Sequence, residues 1–328
     1  MANRLVKWVL GGVLAVAVAG AAVLVVPTWL TLSGTPVSST QVADDAQTRY
    51  PIVLAHGVMG FGYAGEGKQS YWRDIPETLR AHGAKVYVTQ VSAFNSSDVR
   101  GEQLMAQVRQ IMQETGAKKV NLIGHSHGGQ SVRYVAGTHP EWVASVTTVS
   151  GATTGSEVAD WLFELTKTKP WLADALLGLG NKLGALINWI TGVDLPIDAA
   201  EAMKSLTHSG AAFFNQRFPA GVPEQACGEG AHVVDGVHYY SWSSVGQFYR
   251  ATNLADYLMS LSSKAFVRET DNDGLVGRCA SHLGEVIRDD YPMNHFQAVN
   301  QFSGLVGPGA DPVGLFVIHA HRLKEAGF

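Results

Sequence analysis

Short apolar runs and amphipathic stretches alternate through the first half of the chain. Residues 51–55 (Pro-Ile-Val-Leu-Ala) form an apolar run of strand length, residues 85–91 alternate apolar with polar, and residues 143–149 read as a further strand. Between them lie helical spacings. Ile75 and Leu79 share one face of a helix over 72–82. Leu104, Val108 and Ile111 define another that opens on Asp98 as its cap and ends at Thr115-Gly116. Residues 120–124 are an apolar strand candidate, followed at once by a helical pattern through Val132, Val135 and Ala136 to His139-Pro140. Strands alternating with helices predict a mainly parallel sheet with helices on both faces.

The rhythm breaks after Gly151. Residues 155–222 contain no clear strand, and Leu176, Leu179, Leu183, Leu186, Ile187 and Ile190 recur at helical spacing. Such a face either packs into a core or serves as a mobile lid, and its place between the candidate nucleophile and the later partners favours the lid. The strand pattern resumes at 237–242, rich in aromatics. Residues 253–256 and a loop lead to Glu269-Thr-Asp-Asn-Asp-Gly-Leu-Val276, Val286-Ile-Arg-Asp-Asp290 follows, and 312–324 reads as a closing helix.

Composition changes the picture in two places. With 328 residues, 46% hydrophobic, 16% charged and a net charge of −4, the chain is globular and lacks a basic stripe for nucleic acid. Arg4 and Lys7 precede an apolar run over 8–32, which predicts export by a signal peptide or signal anchor over 1–32, with cleavage left open. A polar linker follows over 33–49, then a catalytic domain over 50–328. Two cysteines, Cys227 and Cys279, allow one disulfide in an oxidising compartment.

The candidate chemistry centres on Gly124-His125-Ser126-His127-Gly128, set between strand and helix. Glycines on both sides let the two arms of a tight turn approach, so that Ser126 is held up as a nucleophile. Serine needs a neutral imidazole as base, and the imidazole needs a carboxylate to orient it. Asp273, before a glycine and an apolar pair, is the preferred acid, with Asp271 second and Asp290 too near the histidine in sequence. His295, 22 residues beyond Asp273, is preferred over His282, only nine beyond it. His125 and His127 flank the serine, and a tight elbow turns their side chains away from its hydroxyl. The backbone N–H groups of His127 and of Val58, in the His-Gly turn after the first strand, are the candidate oxyanion donors.

Tyr50-Pro-Ile-Val-Leu-Ala-His-Gly57, Val120-Asn-Leu-Ile-Gly-His-Ser-His-Gly-Gly129, Ala226-Cys-Gly-Glu-Gly230, Asn272-Asp-Gly-Leu-Val-Gly277 and Met293-Asn-His295 together resemble the true bacterial lipases of the Pseudomonas and Burkholderia group, over roughly residues 50–325. The resemblance implies the α/β-hydrolase fold, secreted triacylglycerol lipase activity at a lipid interface, and Ser126, Asp273 and His295 as the triad. It also implies a Cys227–Cys279 disulfide, a helical lid, a membrane-bound foldase as partner and the type II route out of the cell. A structural calcium ion is expected on Asp256, Gln297 and the carbonyls of Gln301 and Leu305, with Gln297 standing where the family has a second aspartate. Two alternatives remain beside this reading: a carboxylesterase for short soluble esters, and a non-catalytic, membrane-anchored lipid-binding protein.

Overall fold

The computed structural model describes residues 44–65, 69–302 and 304–328; the signal or anchor expected over 1–32 lies outside the described residues. Six strands run parallel, in the order β4 (Val86–Val88), β1 (Ile52–Ala55), β5 (Val120–His125), β6 (Val143–Val149), β8 (Val237–Ser244) and β9 (Glu285–Tyr291). A short β7 (Val233–Val234) pairs antiparallel with β8, and β2 (Tyr63–Ala64) with β3 (Gln69–Ser70) forms a separate ribbon. Alternate residues of β1 serve opposite faces. Ile52 and Leu54 pack with Ile75 and Leu79 of α1 (Ile75–Ala81) and with Phe316 and Ala320 of α9 (Pro312–Glu325). Val53 and Ala55 pack with Leu104 and Val108 of α2 (Ser97–Thr115) and Val132 and Val135 of α3 (Gly128–Thr138). The period-two side-chain direction of a strand thus builds two cores, one on each side of the sheet.

The insertion between β6 and β8 is helical: α4 (Glu157–Thr168), α5 (Pro170–Thr191), α6 (Ala199–Leu206) and α7 (His208–Arg217). A further helix, α8 (Leu254–Ser262), follows β8. No described helix is long and apolar enough to cross a membrane.

Several boundaries differ from expectation for local reasons. α1 begins at Ile75 rather than Trp72, because Pro76 lacks an N–H and suits only a first turn. α2 is capped by Ser96, whose hydroxyl accepts from Val99 N–H at 3.2 Å, rather than by Asp98. β4 stops at Val88, and the N–H groups of Gln90 and Val91 turn instead to Gln107 Oε1 (3.0 Å) and His56 Nε2 (3.2 Å). The described end of the expected linker is not free. Ala46 is buried, with its N–H bonded to His82 O, and Arg49 N–H reaches Phe328 O. The body therefore begins before residue 50.

Candidate active site

The elbow follows β5 directly. Ser126 has φ 55°, a left-handed conformation that costs a serine energy and persists only where the surroundings impose it. They do so through the flanking glycines. A Cβ on Gly124 would lie 2.3 Å from Gly128 O, and one on Gly128 would lie 2.1 Å from Ala55 O. Neither position admits another residue while the backbone stays where it is. The turn presents Ser126 at the end of the central strand, 6% exposed.

Asp273 and His295 come together although 22 residues separate them. Asp273 Oδ2 accepts from His295 Nδ1 at 2.7 Å, and both side chains are buried. The other carboxylate oxygen, Oδ1, accepts the N–H groups of Leu275 (3.0 Å) and Val276 (2.8 Å). The turn that carries the acid thereby fixes its plane, and Gly274, at φ +99° against Met259, lets the turn close. With Nδ1–H committed to the carboxylate, His295 Nε2 is left as the basic nitrogen. No hydrogen bond joins it to Ser126 Oγ among the described residues, an arrangement common before substrate tightens such a site.

The rejected alternatives have other partners. Asp271 is exposed and pairs with Arg278 at 3.7 Å, and Asp290 pairs with Arg288. His282 sits between Gly228 O (2.9 Å) and Asp289 Oδ2 (3.0 Å). His125 turns away from Ser126. Its Nε2 lies 3.1 Å from His295 O, which can only accept, so Nε2 carries the proton and Tyr71 O–H donates to Nδ1 at 2.7 Å. Burial, then the neighbouring His295, push the His125 pKa well below the ordinary imidazole value. Held neutral, it braces the backbone of His295.

Among the described residues, the N–H groups of Val58 and His127 donate to no protein acceptor, whereas their neighbours Met59 and Gly129 bond to Ala93 O and Ser126 O. Two unpaired donors beside a serine can receive a developing oxyanion. Beneath them lies a residue that the sequence reading missed. Arg100 is fully buried, its guanidinium donating to the carbonyls of Ser92, His56 and Gly57, the last two immediately before Val58. Burial lowers its pKa to about 9. A signal was present, since Arg100 precedes Leu104 and Val108 at four-residue spacing on the apolar face of α2.

Above Ser126 lies a cavity of about 210 Å³, walled by Leu162 of α4, Leu176, Leu179 and Leu183 of α5, and Leu206 and Val276. Cys227 and Cys279 form a disulfide with Cα atoms 4.4 Å apart, six residues beyond the acid. Such a cross-link, closing a loop of 52 residues, stabilises by about 4 kcal/mol on chain entropy.

Of the residues expected to hold calcium, Asp256, Gln297 and the Leu305 carbonyl come together, whereas Gln301 Nε2 donates to Tyr71 O, and as a donor set they do not suit the ion. Ca²⁺ takes six to eight oxygens and favours several carboxylates. Here Asp256 is the single carboxylate of the four, and its oxygens already accept from N–H groups.

Fold and site together define a serine ester hydrolase. The α/β-hydrolase fold model matches residues 50–299. A triacylglycerol lipase of Vibrio cholerae is 47% identical, covering 90% of this chain and 94% of its own. One of Pseudomonas fragi is 41% identical over 87% and 99%, and one of Burkholderia plantarii 37% over 100% and 98%. The solved Bacillus licheniformis lipase BlEst2 in its mature form has a TM-score of 0.52 at 21% identity, covering 83% of this chain and 91% of that one. It shares the fold. The chain belongs to the α/β-hydrolase family, and within it to the family of these bacterial triacylglycerol lipases.

Proposed function

We propose that the protein hydrolyses triacylglycerols with long acyl chains through an acyl-enzyme on Ser126. The observation that carries the reading is the apolar chamber ending at that hydroxyl, which suits a hydrocarbon chain and offers no counter-charge for an ionic substrate. In this reading Ser126 Oγ attacks the ester carbonyl carbon while His295 Nε2 takes its proton. Asp273 holds the imidazole tautomer and stabilises the imidazolium. Val58 and His127 N–H donate to the tetrahedral oxyanion, which collapses as the leaving alcohol takes the proton back from His295. Water repeats the sequence and releases the fatty acid.

Helices α4 to α7 serve as the lid. The leucines of α5 that wall the chamber would face lipid once the helix lifts, which supports a preference for an interface. Export is supported by the basic and apolar N-terminal pattern and by the paired cysteines. A membrane-bound foldase and the type II route rest on the family resemblance.

A chain-length series of emulsified and dissolved esters, run on wild type beside Ser126→Ala, tests the reading. Emulsified long-chain glycerides are expected to be preferred, and Ser126→Ala to lower kcat by about 10⁴-fold or more while Tm holds. A preference for dissolved short esters would make the protein a carboxylesterase instead. Hydrolysis untouched by Ser126→Ala would remove the mechanism.

A further inference from the structure

The loop that bears His295 contains a second constellation, fully built and fully hydrogen-bonded. Asp256, in the first turn of α8, is 0% exposed. Its Oδ2 accepts the backbone N–H groups of Tyr249 (2.7 Å) and Arg250 (2.6 Å), and its Oδ1 accepts Asn294 Nδ2 (2.8 Å) and Gln297 Nε2 (3.0 Å). Four N–H groups fill the accepting capacity of one carboxylate. Gln297 also lies within 3.3 Å of Leu305 O through the same Nε2, while its Oε1 accepts Asn294 N–H at 3.1 Å. Only one orientation of this amide works. Flipped, it would set an oxygen against a carboxylate and a carbonyl, and its NH₂ against an N–H. Leu305 O is taken a second time by Asn253 Nδ2 at 3.1 Å.

We infer that the Gln297 amide takes the place of a calcium ion, and that the protein folds and acts without the metal. A cation at this point would draw together the Asp256 carboxylate and the Leu305 carbonyl. The two hydrogens on Gln297 Nε2 join the same two oxygens. The exchange is balanced in charge: a second aspartate would require a divalent ion to offset two buried negative charges, whereas one carboxylate met by four N–H donors requires none. The bridge ties three segments, residues 249–256, 294–297 and 305, and His295 lies within the middle one. The bridge therefore holds the base in place, a consequence that rests on the reading of His295 above; the metal-independence does not.

Thermal unfolding of the full chain in chelator and in millimolar CaCl₂ tests the inference without reference to activity. Wild type is expected to keep its Tm within about 1 °C between the two conditions, and its ester hydrolysis within about twofold. A rise of several degrees with calcium, or inactivation by the chelator, would overturn it. Gln297→Glu keeps the side-chain length and replaces the donating NH₂ by an oxygen facing Asp256. At pH 8 in chelator this variant is expected to melt several degrees below wild type, with calcium now raising its Tm. A Gln297→Glu protein as stable as wild type in chelator would overturn the bridge as well. If ester hydrolysis itself failed to depend on Ser126, the functional reading would fall while the Tm comparison stood.

Discussion

The elbow and the helical insertion lie on either side of the same cavity and are built on opposite terms. From Val120 through Ala136, along β5, the turn and most of α3, every residue is buried, and the glycines leave no room for adjustment. Helix α5 buries only five of its 22 residues and exposes Trp171 and Trp189 at 69% and 79%. Dense burial ties the nucleophile to a frame with little room to adjust. A helix with a half-buried apolar face can leave at a cost set by that face alone. In the proposed reading the nucleophile sits on the densely packed part and the cover on the loosely packed one.

The largest expected effect that sharpens this contrast comes from Arg100. Replacing it by Met preserves much of the volume but leaves the carbonyls of Ser92 and His56 without their donor, while Gly57 O keeps His56 Nδ1 and Gly60 N–H. Each unpaired buried carbonyl costs about 1–3 kcal/mol. The loop that presents Val58 N–H should shift, and kcat should fall about 10- to 100-fold with KM little changed. Steady-state kinetics on a dissolved ester, where the proposed lid matters least, checks it. An unaltered kcat would show that the oxyanion loop holds its shape without Arg100.

Acid should weaken the frame next. His56 and His319 are buried, and burial lowers both to about 3, while His125 and His127 are pushed well below the ordinary value of 6.5 for the same reason. Between about pH 6.5 and 3 the unfolded chain binds protons that the folded one refuses. The neutral-form advantage is thus complete above pH 6.5 and is lost as pH falls, each histidine contributing on the order of 1 kcal/mol per pH unit. Denaturant midpoints from pH 7 to 4 should decline steeply. His319→Gln, which can keep the contact to Thr147 Oγ1 at 2.8 Å, should flatten the slope. An unchanged slope would assign the acid sensitivity to other groups.

What the sequence disclosed follows the same division. The elbow was legible because its requirements are local: an apolar strand, two glycines at fixed offsets and a helical period. Asp273 and His295 were singled out by their order along the chain, and the folded chain sets them 2.7 Å apart. Arg100 was overlooked because an arginine on an apolar helix face has no meaning until the carbonyls it meets are known. Gln297 stood out as an amide where the family resemblance sets a carboxylate, but which end of the amide points at Asp256 is set by Asn294 N–H and Leu305 O. Only the folded chain brings those groups together. Helix α8 went unread, although Asn253 caps it by accepting from Ala255 N–H at 3.0 Å.

The smallest expected effect tests the insertion, by setting two neighbouring positions of α5 against each other. Ile187 is 4% exposed and packs with the core of the sheet, while Trp189, two residues on, is 79% exposed. Ile187→Ala removes buried methyl groups and should cost about 2–4 kcal/mol if the helix stays docked as the molecule unfolds in one step. Trp189→Ala should change stability by less than about 0.5 kcal/mol, since it removes a side chain that touches little. Should Ile187→Ala also prove nearly silent in global unfolding, yet raise the rate on dissolved esters, the meaning would be specific. Helix α5 would already be leaving the body before the sheet unfolds, and Ile187 would serve to close the chamber rather than to hold the fold.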